Sequence, residues 1–177
     1  MSRGAEILGK RLRRPVVVLG IGNRWRGDDA AGPCVVDRVA GRLEGRCIDA
    51  GEAPERHLGE ATAGEPGTIL VVDAVDFGGA TGDLAVFEEK DLPERAGTTH
   101  DTPLGVLMRY AREESGAEVV LIGIQPGSVA FGARMSEAVR EGVTAVADFL
   151  AVRFAAGRVG RVCEAAGECP TRAEEGS

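Results

Sequence analysis

Three runs of apolar residues, rich in valine and isoleucine, constrain the fold of this chain more than any other feature. They read PVVVLGI at 15–21, TILVVDAV at 68–75 and EVVLIGIQ at 118–125. A run without polar alternation is typical of a strand that helices cover on both faces. The three runs therefore predict the centre of a mostly parallel sheet.

Two shorter runs and three helical patterns complete this arrangement. The short runs are RCIDAG at 46–51 and LAVFE at 84–88, and apolar residues with helical spacing occupy 35–43, 104–111 and 136–154. Because strand and helix alternate, we predict an α/β fold with three αβα layers and a doubly wound sheet of about five strands. The run LAVFE follows its predecessor too closely for a crossover helix, so it should pair antiparallel at an edge.

Length and charge limit the class of protein. A chain of 177 residues is one domain by length, and a domain of this size buries roughly 70% of the surface that its unfolded chain exposes. We assign 15–156 to a single α/β domain, 1–14 to a basic N-terminal segment and 157–177 to a mobile tail of low apolar content. The net charge of -7 argues against nucleic acid or an anionic membrane as a partner.

The cysteines and the N-terminal region indicate the compartment. Four cysteines show neither CxxC pairing nor a framework spacing, which is typical of a reduced, cytoplasmic protein. The apolar run at 16–22 is too short for a signal core or a membrane span, and no small-residue cleavage site follows it. We expect a monomer, because the sequence contains no long exposed apolar stripe.

The segment VLGIGNRWRGDDAAG has the layout of a nucleotide-binding turn but not its chemistry. Gly20 and Gly22 match GxGxxG, but Trp25 occupies the position of the third glycine. Asp28 and Asp29 would repel a phosphate, and no Gly-Lys-Ser/Thr follows. The segment predicts a cation site or, alternatively, a helix start at which aspartates cap free N–H groups.

Two further residues could complete a cation site with these aspartates. Asp73 ends an apolar run at the edge where open α/β sheets bind ligands. His100, in GTTHDTPL, lies in a loop before a helix that Thr102 and Pro103 should begin, although a histidine there could also serve only the loop. Aspartate and histidine ligands with open positions suit a borderline divalent metal such as zinc or nickel.

Other catalytic arrangements find little support in the sequence. Neither GxSxG nor HExxH occurs, Cys34 is more typical of a small core residue, and His57 lies among charged residues on a helical segment. From the residues alone the activity stays open. The alternatives are an enzyme, a non-catalytic nickel-binding sensor or chaperone, and a nucleotide binder supported only by fold analogy.

Five segments, in this order, resemble the nickel–iron hydrogenase maturation endopeptidases. They read GIGNRWRGDDAAGP, DAGEAPE, ILVVDAVDFG, TTHDTPLGVLM and LIGIQPGSVAFG. The resemblance runs from about residue 16 to residue 150. Within the family, the segments look most like the branch that processes the large subunit of the hydrogenase 3 type found in formate hydrogenlyase.

The resemblance implies a three-layer α/β fold and a C-terminal processing reaction. Family members remove a short C-terminal extension from the precursor of a hydrogenase large subunit after nickel has been inserted. The implied partner is therefore that precursor, which supplies the nickel, and no nucleotide is needed. The family residues that contact nickel fall on Asp29, Asp73 and His100, which we predict to be both metal-contacting and catalytic.

The quoted segments also contain candidates for contact with the substrate. These are Gly22, Asn23, Asp28 and Gln125. The chain departs from the family at Trp25 and Arg26, where the family loop is often more apolar. We expect these two residues to alter contact with the substrate tail.

Overall fold

A computed structural model describes residues 12–92 and 103–155 of the chain. Most of the expected basic segment 1–14, all of the expected tail 157–177 and His100 lie outside these ranges. The proposed domain boundaries therefore stay predictions.

Five strands form one sheet with the order β2-β1-β3-β5-β4. The strands are β1 (Val16–Ile21), β2 (Gly45–Gly51), β3 (Thr68–Ala74), β4 (Leu84–Phe87) and β5 (Glu118–Ile124). The pairs β1–β2, β1–β3 and β3–β5 are parallel, and β4 pairs antiparallel with β5. The predicted α/β class and the antiparallel edge strand are confirmed.

Four α-helices lie within the described ranges. They are α1 (Ala31–Val39), α2 (Leu58–Thr62), α3 (Pro103–Ser115) and α4 (Glu137–Arg153), and short 3-10 helices span Gly27–Ala30, Pro54–His57 and Glu89–Asp91. The predicted start of α4 is confirmed, because the Ser136 hydroxyl accepts a hydrogen bond from the Val139 N–H. None of the helices in the described part of the chain has the length and apolar character needed to cross a bilayer.

Alternate residues of the central strands point to opposite faces of the sheet and build two separate cores. Val16 and Val18 of β1 pack in the core that includes α1 and α4 residues, whereas Val17 and Leu19 pack with residues of α2 and α3. Burying an aliphatic side chain of this size contributes about 1.5–3 kcal/mol. Continuous apolar strands are therefore required, since each face of the sheet is covered by helices.

Gly32 lets α1 approach the sheet closely. A Cβ atom at this position would lie 2.3 Å from the Ile21 carbonyl oxygen and 2.4 Å from that of Val72. A nucleotide-binding turn meets this requirement with its third glycine, the position that Trp25 occupies here. The chain instead provides the small residue further along, after the segment that carries the two aspartates.

The strand order reverses between β1 and β3. From β1 the chain passes through α1 to β2 on one side, and it then passes through α2 back to β3 on the other side of β1. The carboxyl ends of β1 and β3 therefore flank the switch point at which open α/β sheets bind ligands.

Candidate active site

Asp29 lies in the loop between β1 and α1, and the backbone of that loop fixes its carboxylate. Its Oδ2 accepts a hydrogen bond from the Asn23 N–H at 2.8 Å, and its own N–H donates to the Arg26 carbonyl at 3.1 Å. The side chain is only partly buried. Asp29 Oδ1 accepts no hydrogen bond from any described residue, so it is the oxygen available to a ligand.

Gly22 and Asn23 shape the turn that carries Asp29. Gly22 has a φ of 135°, and a Cβ atom there would lie 1.8 Å from the Asp29 carbonyl oxygen, so a side chain is excluded. The Asn23 Oδ1 accepts a hydrogen bond from the Trp25 N–H at 2.8 Å. Both residues hold the loop, and their contact with a substrate stays a prediction.

Asp73 lies at the carboxyl end of β3, on the other side of the switch point. Burial raises its pKa, the negative charge of Asp29 raises it further, and a hydrogen bond from the Ala74 backbone opposes both, so that the pKa reaches about 7. Because the charge of Asp29 acts on Asp73, the structure brings these two predicted site residues together.

A divalent cation fits this pair of carboxylates. Two such groups repel each other when both are ionised, and a bound cation would favour the ionised form of both. The described residues contain no cluster of three or more His, Cys, Asp and Glu side chains that could hold a metal. The predicted third ligand, His100, lies outside them, so the trio stays a prediction.

Asp28 has the opposite environment to its neighbour Asp29. Its side chain is buried, Oδ2 accepts from the N–H groups of Gly127 and Ser128 at 2.8 and 3.0 Å, and Oδ1 accepts from that of Ser136 at 2.6 Å. Burial alone would raise the pKa of Asp28, but these N–H donors outweigh it, and the pKa lies below its ordinary value. The carboxylate of Asp28 therefore holds backbone in place, and its contact with a substrate stays a prediction.

Gln125 also holds backbone in place. Its side chain is buried, and Oε1 accepts from the N–H groups of Phe77 and Gly79 at 2.9 and 3.1 Å. Its Nε2 donates to Asp76 Oδ1 at 3.0 Å and to the Pro126 carbonyl at 3.2 Å. Both polar atoms of the amide bond within the protein, and contact of Gln125 with a substrate stays a prediction.

Arg24 ties the loop of Asp29 to two other elements, a role that the sequence analysis missed. Its guanidinium donates to both carboxylate oxygens of Asp37 in α1, at 2.6 and 2.9 Å. It also donates to Asp49 Oδ2 in β2, at 2.8 and 3.1 Å. Hydrogen bonds to Asp37 and then to Asp49 raise the pKa of Arg24. The only sequence signal was an aspartate near the end of a strand, in DAGEAPE.

A cleft of about 620 Å³ opens on the α2–α3 side of the site, and we call it the acidic cleft. Asp73 lines it together with Glu52 and Glu55, which follow β2, and Tyr110 of α3 lines the opposite wall. Neither glutamate was predicted as a site residue from the sequence, although both fall in the segment DAGEAPE. The acidic cleft offers a path along which a peptide chain can reach Asp73.

A second cleft of about 420 Å³ lies on the α1–α4 side, and we call it the arginine cleft. Its charged lining consists of Arg24, Arg38, Arg134, Arg140 and Asp37. Cys34, half-buried and free, also lines it. Burial raises the pKa of the Cys34 thiol, which disfavours the thiolate that a nucleophile would need.

These features define the class of protein: a doubly wound α/β protein with two interacting carboxylates, Asp29 and Asp73, at its switch point. A sequence model of the hydrogenase maturation protease (HycI) family matches residues 35–151. The chain is 35% identical over 133 residues to the hydrogenase 3 maturation protease of Escherichia coli (strain K12), and the match covers 73% of this chain and 85% of that protein. The chain belongs to the hydrogenase maturation protease family, whose members are hydrolases that cut peptide bonds.

Solved structures agree with this assignment. The crystal structure of the NiFe hydrogenase maturation protease HycI from Thermococcus kodakarensis KOD1 superimposes with a TM-score of 0.75 at 32% identity, covering 83% of this chain and 97% of that one. A crystal structure of the hydrogenase 3 maturation protease gives 0.69 at 34% identity, with 76% and 88% covered. The fold and the family that the sequence predicted are therefore confirmed.

Proposed function

We propose that this chain is an endopeptidase that removes the C-terminal extension of a nickel–iron hydrogenase large-subunit precursor after nickel insertion. Membership of the family supports peptide-bond hydrolysis in hydrogenase maturation. The observation that carries the nickel part is the pair Asp29 and Asp73, in which burial and the neighbouring charge raise the pKa of Asp73 to about 7. Close carboxylates at a ligand-binding edge suit a divalent cation.

Nickel belongs to the substrate in this proposal. The thiolates of the precursor hold the metal, and Asp29, Asp73 and His100 contact its remaining positions. Contact of both proteins with the same nickel would hold the scissile peptide at the carboxyl edge of the sheet. Positioning of this kind lowers the activation barrier of a reaction by several kcal/mol, up to roughly 7–11 kcal/mol in the best cases. A precursor without nickel lacks the shared contact, so it should not be cut.

Peptide hydrolysis also needs a group that takes a proton from the attacking water. A carboxyl with a pKa near the working pH is the more effective base, because it is partly ionised and still binds a proton well. Asp73, at the carboxyl end of β3 and in the lining of the acidic cleft, is the candidate for this base. The substrate's nickel would polarise the scissile carbonyl or the water. No nucleotide takes part.

The proposal is tested by intact-mass analysis of the precursor, loaded with nickel or free of it, after incubation with the protein. We expect wild type to release a C-terminal fragment only from the nickel-loaded precursor. The variants Asp29→Asn, Asp73→Asn and His100→Ala should release none, or far less.

Two matched controls separate site effects from general damage. Asp148→Asn changes an exposed carboxylate of α4 whose partner is Arg42, and His57→Ala changes the other of the chain's two histidines. Both should cleave as wild type does. Equal cleavage of nickel-free precursor would remove nickel from the proposal. No cleavage of a precursor that its own protease processes would instead favour a non-catalytic nickel-binding sensor or chaperone.

A further inference from the structure

Two aromatic side chains are exposed on neighbouring loops beside the arginine cleft. Trp25 is 72% exposed and Phe131 is 77% exposed. Their loops are joined where the Gly132 N–H donates to the Trp25 carbonyl at 2.7 Å. We call the two rings, with the arginines around them, the aromatic–arginine surface.

The exposure of these rings is unusual within this protein. The chain has one tryptophan and five phenylalanines, and the four phenylalanines other than Phe131 are buried or partly buried. Exposed apolar patches mark interaction sites, and tryptophan and arginine are enriched among the residues that dominate the energy of protein interfaces. The exposed rings and nearby arginines therefore indicate a surface that binds a protein partner.

The charge around the rings indicates the chemistry of that partner. Arg26, Arg38 and Arg134 form no ion pair with any residue of the described ranges, whereas the other two arginines beside the cleft are paired with carboxylates. Arg38 and Arg134 line the arginine cleft and Arg26 directly follows Trp25 in the chain, so this surface carries basic groups on a chain of net charge -7. Such a region attracts and orients an acidic partner.

The same loop links this surface to the site. Trp25 and Asp29 lie in the segment between β1 and α1. Asn23 contacts both residues, because its N–H donates to Asp29 Oδ2 and its Oδ1 accepts from the Trp25 N–H. A protein whose chain reaches Asp29 therefore passes close to Trp25. In the proposed function that protein is the hydrogenase precursor.

We infer that the aromatic–arginine surface docks an acidic segment of the hydrogenase large-subunit precursor, and this inference rests on the proposed function. An apolar side chain of the segment packs on Trp25 and Phe131, and its carboxylates meet the unpaired guanidinium groups. Docking here sets how tightly the precursor binds, whereas the carboxylate pair acts on the peptide bond.

Steady-state cleavage of nickel-loaded precursor tests the inference. We expect Trp25→Ala, Phe131→Ala and the double variant Arg26→Glu/Arg134→Glu each to raise KM about 10-fold, while kcat changes less than about twofold. The KM of wild type should rise with salt, and that of the double variant should rise less, because screening has fewer favourable pairs to weaken.

Matched controls lie at the opposite edge of the sheet. Val152→Ala removes another exposed apolar side chain, 84% exposed, near the end of α4, and Arg13→Glu reverses a charge just before β1. Both should leave KM and kcat unchanged. Thermal unfolding of every variant checks that the fold is intact.

Binding of the precursor, measured by titration in an Asp73→Asn background, separates docking from cleavage. If wild type cuts the precursor but Trp25→Ala alters neither KM nor Kd, the docking inference is wrong and the proposed function stands. If wild type fails to cut but Trp25→Ala weakens binding about 10-fold, the proposed function fails and docking stands. A precursor that neither binds nor is cut overturns both. If Trp25→Ala instead converts a dimer to a monomer in sedimentation with KM unchanged, a second copy of this chain covers the surface.

Discussion

The two clefts at the carboxyl edge of the sheet both border the chain segment that runs from Ile21 to Cys34. Their charged residues nevertheless have opposite sign. The acidic cleft, about 620 Å³, contains Asp73 and two glutamates. The arginine cleft, about 420 Å³, contains four arginines and one aspartate. Under the proposed function and the docking inference, the protein separates its tasks by face: carboxylates for a cation and a peptide bond on one side, guanidinium groups for an acidic protein surface on the other.

The same division runs through one pair of neighbouring residues. The carboxylate of Asp28 accepts hydrogen bonds from three backbone N–H groups in the segment that borders the arginine cleft. Asp29 instead acts on Asp73 across the switch point. One aspartate therefore builds the scaffold of the site, and the other presents a carboxylate oxygen to a ligand.

The largest effect that this comparison predicts concerns turnover. Asp73→Asn should lower kcat for nickel-loaded precursor by about 10³-fold, because the variant loses both a charged ligand and the candidate base. KM should change by less than about threefold, the reverse of the pattern expected for Trp25→Ala. Steady-state kinetics on both variants checks this. A variant Asp73→Asn that raised KM and left kcat unchanged would contradict the proposed division of roles between the two clefts.

The next effect concerns the scaffold. Asp28→Ala removes a buried carboxylate that accepts hydrogen bonds from three backbone N–H groups, which should lower the free energy of unfolding by about 3 kcal/mol. The matched variant Asp29→Ala should cost less than about 1 kcal/mol, because Asp29 is partly exposed and accepts one hydrogen bond. Urea unfolding of the two variants provides the measurement, and equal losses would contradict the separate roles.

A pH dependence of stability should follow from Asp73. Its pKa is raised from 3.8 to about 7 in the folded protein, so the folded state binds more protons than the unfolded state between these pH values. Stability therefore falls as pH rises through this window, by on the order of 4 kcal/mol from this residue. Asp73→Asn should remove this part of the fall and be more stable than wild type at pH 8. An Asp29→Asn variant should show a smaller fall than wild type, since one cause of the raised pKa is gone.

The smallest effect concerns Arg24, which joins the loop of the site to α1 and β2. Arg24 and both of its partners are partly exposed, so Arg24→Leu should cost about 1 kcal/mol of unfolding free energy at low salt. The loss should shrink in 1 M NaCl, because exposed ion pairs are screened. Chemical denaturation at two salt concentrations measures it, and a loss that is independent of salt would indicate packing of the side chain instead.

Much of the fold could be predicted from local pattern. The limits of the strands, the antiparallel pairing of β4 and the Ser136 cap follow from apolar runs, connection length and capping preference, all of which depend on neighbouring residues. The approach of Asp29 to Asp73 was also predictable, because parallel strands present their carboxyl ends at one edge. The place of His100 in the site stays a prediction.

The separate fates of Asp28 and Asp29 could not be predicted in this way. Adjacent aspartates look equivalent in a sequence. Only the tertiary structure brings the segment before α4 close enough for its N–H groups to donate hydrogen bonds to Asp28. The role of Gln125 in holding backbone could not be predicted for the same reason, since its partners Phe77 and Gly79 lie in a distant loop.

The sequence by itself therefore determined the α/β class, the family and the edge of the sheet at which Asp29 and Asp73 lie. These properties depend on the period of apolar residues and on motifs read along the chain. The tertiary structure alone decided which carboxylates are free, how Arg24 is held and that two clefts of opposite charge share one edge. The physical reason is that hydrogen bonds and charge interactions act between groups that are close in space, and folding brings together groups about a hundred residues apart in this chain.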